Sequence, residues 1–300
     1  MTQSIQSRIV ATVIRLMRIK QQLPWQGSEQ KSARAKPTQA MASKYRVSNR
    51  VVEGRNVWTI APKNAAGHRD PGHPSNQSVL FIHGGTYVQS LDPLHWAFMT
   101  RLIDRLGCTV IAPDYPLAPA HQAPESVRFV LERYRELIAA VGAETVTVMG
   151  DSAGGGLSLV LAQQLQAAGL EQPANLILLC PWLDLSMSNP GIQAVDALDP
   201  MLNLSGTRQA ARMYAGELSL TDPLVSPLYG ALEQLAPITL FIGTSDILQP
   251  DCRALKARAE LLGVKLAYHE VERMVHVWML LPMPEAKRVM DQIVNVFEKK

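Results

Sequence analysis

Thr145-Val-Thr-Val-Met-Gly-Asp-Ser-Ala-Gly154 is the stretch on which the fold turns. Its first five residues are apolar or β-branched, the composition of a short buried strand. The alanine- and leucine-rich run through Leu157–Ala168 has the composition of a helix. Between them, Gly150-Asp-Ser-Ala-Gly154 is a G-x-S-x-G motif. A serine on a strained strand-to-helix turn is pushed out at the C-terminal edge of a sheet, and glycines on either side let strand and helix pass closely. A chance match would seldom fall between a strand and a helix. Ser152 is therefore the candidate nucleophile. The competing reading is a glycine-rich turn, extended by Gly155 and Gly156, that only packs helix on strand.

A nucleophilic serine needs a base for its proton and donors for the oxyanion that forms on the substrate. For the donors, His83-Gly84-Gly85-Thr86 follows the strand pattern Val79–Ile82. The N–H of Gly84 or Gly85, with that of Ala153 at the start of the next helix, would form the hole. His83 reads as a structural, hydrogen-bonded residue. In a chain that places its acid and its histidine after late strands, Asp246 follows the strand pattern Ile238–Ile242 and His276 follows Lys265–Glu270. His269 sits inside a strand pattern, and the remaining histidines precede the nucleophile. Asp251, a rival for the acid, suits the N-cap of the helix beginning there. Asp184 fits less well, and Asp151 reads as a brace of the turn.

Outward from this centre, short apolar strands alternate with longer helical patterns. The strands are Val79–His83, Thr109–Ala112, Thr145–Met149, Asn175–Cys180, Ile238–Ile242 and Lys265–Glu270. The helices are Trp96–Leu106, Ser126–Ala140, Leu157–Ala168, Asp251–Leu262 and Pro284–Glu298. Buried strands alternating with helices predict an α/β fold with a mostly parallel sheet covered on both faces. A hairpin of Tyr45–Arg50 and Val52–Ile60, turning near Glu53-Gly54, opens the domain, and a polar loop follows from Pro62 to Gln77. The span 184–222 breaks the alternation, with one helical stretch near Thr207–Ala215, and reads as an insertion. Ile5, Ile9, Val13, Leu16 and Met17 recur at helical spacing, so residues 5–22 are predicted to form an amphipathic helix whose apolar face lies on the protein body. That use is expected over membrane contact. Residues 26–42 read as a linker.

The 300 residues are 47% hydrophobic and 18% charged, with mean hydropathy near zero. Such a chain is too apolar for disorder and too evenly polar for a membrane bundle. The net charge of +3 gives no reason to expect a nucleic-acid partner. Cys108, Cys180 and Cys252 lie far apart, with neither zinc-ligand nor redox spacing, and read as free thiols in a reducing compartment. No apolar run reaches the ~18 residues a spanning helix needs. Arg8, Arg15, Arg18 and Lys20 interrupt any signal-peptide core, so the cytoplasm is the expected location.

Together these residues resemble the hormone-sensitive-lipase-like family of α/β-hydrolases, the bacterial family IV esterases. The likeness covers roughly residues 78–298. Gly150–Gly156 is similar to the family's nucleophile stretch, and Asp114-Tyr-Pro-Leu-Ala-Pro119 with Pro124 to its Asp-Tyr-x-Leu-Ala-Pro-Glu segment. Pro181-Trp-Leu-Asp-Leu185, Asp222-Pro-Leu-Val-Ser-Pro227 and Asp246-Ile-Leu248 echo family segments in the same order. Thr86 stands where the family usually has a third glycine, and Ile247 where it usually has proline.

The resemblance implies a catalytic domain of residues 45–184 and 223–300, N-terminal cap helices over 1–44 and a cap insertion over 185–222. It implies a serine carboxylesterase for short- to medium-chain acyl esters, with the triad Ser152, Asp246 and His276 and no metal or cofactor. Thr86, Met201, Leu202, Met213 and Tyr214 are candidate pocket walls, the last four reading equally, at helical spacing, as the core of the cap, and the final strand and last helix would pair subunits in a homodimer. The same machinery also suits an amide, formamide or lactone. A receptor that binds a small molecule without turnover is a third reading, though such receptors typically lack the base.

Overall fold

A computed structural model of the protein describes residues 3–17, 20, 35–63 and 77–298. In chain order, the described elements begin with α1 (Ile5–Leu16) and α2 (Gln39–Lys44), followed by the hairpin β1 (Tyr45–Val52) and β2 (Arg55–Pro62). Next come β3 (Ser78–Ile82), α3 (Pro93–Leu106), β4 (Thr109–Pro113), α4 (Ala123–Val141), β5 (Val146–Asp151), α5 (Ala153–Ala167) and β6 (Asn175–Leu179). The insertion carries α6 (Ile192–Asp196) and α7 (Leu204–Ala215). The chain then returns through β7 (Ile238–Ser245), α8 (Gln249–Leu261), β8 (Leu266–Val275) and α9 (Pro284–Glu298).

The eight strands form one sheet in the order β1-β2-β4-β3-β5-β6-β7-β8. The pairings of β1 with β2 and of β2 with β4 are antiparallel, and the rest are parallel. Strands buried on both faces favour apolar side chains on both, which is why Val79–Ile82 of β3, Leu176–Leu179 of β6 and most of the first four residues of β5 are apolar. From β3 the chain moves one way to β4 and then crosses back to β5. The carboxyl ends of β3 and β5 therefore flank the switch in strand order, where open α/β sheets leave a crevice. Helix α5 is apolar all round because it is buried against β5, β6 and α4.

Helix ends follow local chemistry. Asp92 caps α3 by accepting the N–H groups of Leu94 and His95, and Pro93 fills the first turn. Gly107 closes that helix at φ 64°, a left-handed conformation suited to glycine.

Three expectations change. Within the expected linker 26–42, Thr38 caps the start of α2 by accepting the N–H of Met41; most of that linker, the end of the helix expected over 5–22 and the loop over 64–76 lie outside the described residues. Asp251 is not an N-cap: α8 begins at Gln249, and Asp251 sits buried in its first turn. Helix α1 does not lie with its apolar row inward; two small residues and one isoleucine face the body instead. Ser7, Ala11 and Ile14 are buried, while Ile5, Ile9, Val13, Leu16 and Met17 face out. Small side chains allow close packing on α9, and the Glu285 carboxylate draws Ser4 and Ser7 in by accepting from both hydroxyls. No helix among the described residues is long and apolar enough to cross a membrane.

Candidate active site

Ser152 joins β5 to α5 with φ 52° and ψ −122°, a backbone conformation costly for a side-chain-bearing residue. The surroundings hold it there. Its N–H donates to Leu179 O at 2.9 Å, and its carbonyl accepts from Trp182 N–H at 2.9 Å and Gly156 N–H at 3.1 Å. Gly150 and Gly154 are a crossing point: a Cβ on Gly150 would lie 2.5 Å from the Gly154 carbonyl carbon, and one on Gly154 would strike the carbonyls of Ile82 and His83.

His276 and Asp246 reach this serine from the ends of neighbouring strands. The His276 Nε2 lies 2.9 Å from Ser152 Oγ, and its Nδ1 lies 2.8 Å from Asp246 Oδ2. With the ring proton on Nδ1, that nitrogen donates to the carboxylate and Nε2 accepts from the hydroxyl. All three side chains are buried. Burial pushes the His276 pKa down, but the Asp246 carboxylate outweighs it and holds the ring above its ordinary value. Asp246 also accepts the N–H of Leu248 at 2.9 Å, which fixes its carboxylate.

The loop after β3 divides the two glycines expected as donors. The N–H of Gly84 donates to Asp151 Oδ1 at 3.0 Å, so it is not free to face a substrate oxygen. Gly84 packs so closely that a Cβ there would lie 2.9 Å from Ser152 Cβ. The N–H groups of Gly85 and Ala153 carry no such commitment among the described residues, and Ala153 opens α5, where an N–H has no acceptor within the helix. Thr86 is buried at φ 52°, and its hydroxyl has no partner among the described residues. Leu202 and Tyr214 are buried in the insertion, with Met201 and Met213 half-buried. The Tyr214 ring stacks on Tyr87 at 3.7 Å and an interplanar angle of 4°, binding the insertion to the loop after β3.

Two supporting groups carry no motif and were not foreseen. His95, in the first turn of α3, sits between carboxylates, 2.9 Å from Asp92 Oδ1 and 3.3 Å from Asp151 Oδ1. Burial lowers its pKa, but the two acids outweigh that and raise it to about 10. A cationic ring thus stands beside the Asp151 oxygen that accepts the Gly84 N–H. Asp199, in the insertion, is buried; its Oδ2 accepts from Ile247 N–H at 3.0 Å, next to Asp246, and its Oδ1 from Met201 and Leu202 at 2.8 and 2.9 Å. A carboxylate with three backbone donors is a strong local clamp.

His83 does not act on Ser152. Its Nδ1 lies 2.7 Å from Gly84 O, its ring stacks on Tyr115 at 4.4 Å, and burial holds its pKa below the ordinary value. Cys180 Sγ lies within 4.8 Å of the Asp246 and His276 ligand atoms. Those two are already hydrogen-bonded to each other, and burial pushes the thiol pKa well up, so the trio is the Asp246–His276 pair with a protonated thiol beside it. All three cysteines are free and buried. A groove of about 460 Å³ between β8 and α9 has no triad residue in its lining and is a separate feature.

The family described as alpha/beta hydrolase fold matches residues 79–280. The chain is 33% identical over 212 residues to a triacylglycerol lipase of Mycobacterium tuberculosis, covering 70% of this chain but only 44% of that protein. It is 30% identical over 224 residues to an acetyl-hydrolase of Streptomyces hygroscopicus, covering 74% of this chain and 75% of the relative. The crystal structure of an esterase from the bacterial hormone-sensitive lipase family superposes with a TM-score of 0.85 at 27% identity, covering 100% of this chain and 99% of that one.

Proposed function

Because the chain belongs to the α/β-hydrolase family and to its hormone-sensitive-lipase-like branch, we propose that it hydrolyses carboxylic esters of short- to medium-chain acyl groups through an acyl-enzyme on Ser152. The observation that carries this reading is the continuous Ser152–His276–Asp246 hydrogen-bond chain at the carboxyl edge of the sheet.

In the first step, Ser152 Oγ attacks the ester carbonyl while His276 Nε2 takes the serine proton. Asp246 stabilises the imidazolium that forms. The oxyanion is held by the N–H groups of Gly85 and Ala153, each such donor being worth roughly 10²–10³ in rate. His276 returns the proton to the leaving alkoxide, the alcohol departs, and the acyl group remains on Ser152. Water then attacks the acyl-enzyme with its proton passing to His276, and the acid is released as that proton returns to Ser152. Thr86, Met201, Leu202, Met213 and Tyr214 are proposed to bound the acyl pocket. Buried free thiols fit a reducing cytoplasm.

The test is hydrolysis of p-nitrophenyl esters from acetate to palmitate by the wild type, Ser152→Ala and His276→Ala. Short and medium chains should turn over, and both variants should lose nearly all activity. A folded wild type inactive on every ester overturns the reading. A faster rate on the amide than on the ester of one acyl group would shift it to amide hydrolysis.

A further inference from the structure

The exposed row on α1 is a surface with a direction. Ile5, Ile9, Val13, Leu16 and Met17 form one stripe along the helix, between 46% and 76% exposed. Leu198 of the insertion is 51% exposed, and its carbonyl accepts from the Arg15 guanidinium at 3.4 Å, so it adjoins the stripe's end. No other described helix gathers more than two large exposed apolar side chains; α8, with Leu261 at its end and Leu262 just beyond, comes next. Exposing so many apolar side chains on one face is uncommon in a monomer without a binding purpose.

The charges beside the stripe say what covers it. Arg8 and Arg15 are seven residues apart and so share a side of the helix, both exposed, between the stripe and the packed face. The first 44 residues carry eight Lys and Arg against one acid, Glu29, although the whole chain is only +3. The N-terminal region is therefore strongly basic on a body that is net negative. A second copy placed stripe to stripe would bring the arginines of both chains together, whereas anionic headgroups would pair with them. The helix is about 18 Å long, too short to cross a bilayer core of about 30 Å. Apolar residues flanked by arginines along such a length suit an element lying in the headgroup layer.

From this placement we infer that α1 and Leu198 form a docking surface for an anionic lipid–water interface. The inference goes beyond the ester-hydrolase reading and does not depend on it. It gives the cap a second use. Leu198 precedes Asp199, whose carboxylate holds the backbone beside Asp246, so the docked surface lies one residue from the turn that supports the triad.

Docking is measured on Ser152→Ala protein, so that turnover plays no part. The readout is co-sedimentation with vesicles of phosphatidylcholine and phosphatidylglycerol, or of phosphatidylcholine alone. Binding to the anionic vesicles is expected, weakening as salt rises. Ile9→Glu with Leu16→Glu should lower the partition coefficient at least roughly tenfold. Arg8→Gln with Arg15→Gln should weaken binding to the anionic vesicles and flatten its salt dependence. In the Ser152 background, the glutamate pair should leave hydrolysis of a water-soluble ester unchanged, which shows that it folds. Wild-type-like sedimentation of the glutamate pair, or no binding to anionic vesicles, overturns the inference. So does a dimer in size-exclusion chromatography that the glutamate pair converts to monomer, since the stripe would then be covered by a second copy.

Discussion

His276 works between two opposing effects. Burial favours the neutral ring, the neighbouring Asp246 favours the charged one, and the carboxylate prevails, so the folded pKa lies above the ordinary 6.5. In the proposed reaction the base must be neutral to accept the Ser152 proton, so activity should be lost as pH falls through that raised value. The acid limb of kcat/KM for a soluble ester should have its midpoint above 6.5. Asp246→Asn removes the carboxylate that raises it and disturbs the tautomer. It should move the midpoint down and cost roughly 10⁴ in kcat. A pH–rate profile of the two proteins checks both. Gly84 tests the other half of the site. Its missing side chain leaves room for Ser152, and its N–H is spent on Asp151, so Gly84→Ala should force the loop off the nucleophile. We expect kcat to fall by roughly a hundredfold or more, with substrate affinity less affected. Steady-state kinetics separate the two.

The turn between α6 and α7 does for the acid what the loop after β3 does for the serine. Asp199 binds three backbone N–H groups, two on its own turn and one beside Asp246. Burial and the Asp246 charge raise its pKa to about 6. The neighbours that act on it are the Asp246 charge, which raises that value, and His276, which lowers it. Asp199→Asn puts an amide NH₂ where one set of N–H donors points, and removes a negative charge that helps raise the His276 pKa. The expected result is a kcat lowered roughly ten- to a hundredfold, with an acid limb shifted to lower pH. A purely structural role would leave the limb in place. None of this was legible in the sequence, because a lone aspartate in an insertion has neither period nor motif. The strands were legible, because a doubly buried strand is mostly apolar along its length. Ser152, His276 and Asp246 were findable because each stands just past such a strand. On α1 the stripe was legible but its expected inward direction was wrong: periodicity says which residues share a face, whereas Ser4, Ser7 and the Glu285 carboxylate determine which face turns inward.

At the scale of the molecule, the two ends of the chain are tied together through Glu285. That carboxylate, in the first turn of α9, accepts the Ser4 N–H at 2.7 Å, the Ser4 hydroxyl at 3.1 Å and the Ser7 hydroxyl. Burial pushes its pKa up, yet the Ser7 and Ser4 donors outweigh that and hold it below the ordinary 4.5. A carboxyl depressed in the folded state stabilises it above the unfolded pKa, and that contribution is lost as pH falls through the folded value. The loss should be local, because α1 rests on α9 through few side chains while the sheet is built from continuous strand pairings. Amide hydrogen exchange over residues 5–16, corrected for intrinsic rate, should therefore speed up on acidification below the ordinary carboxyl value of 4.5 before the β5 and β6 amides respond. Glu285→Ala should produce the same local opening at neutral pH, by roughly tenfold in exchange rate. If the core strands open together with α1 in that variant, the N-terminal helix belongs to the cooperative unit of the sheet, and the tie at Glu285 is not what separates them.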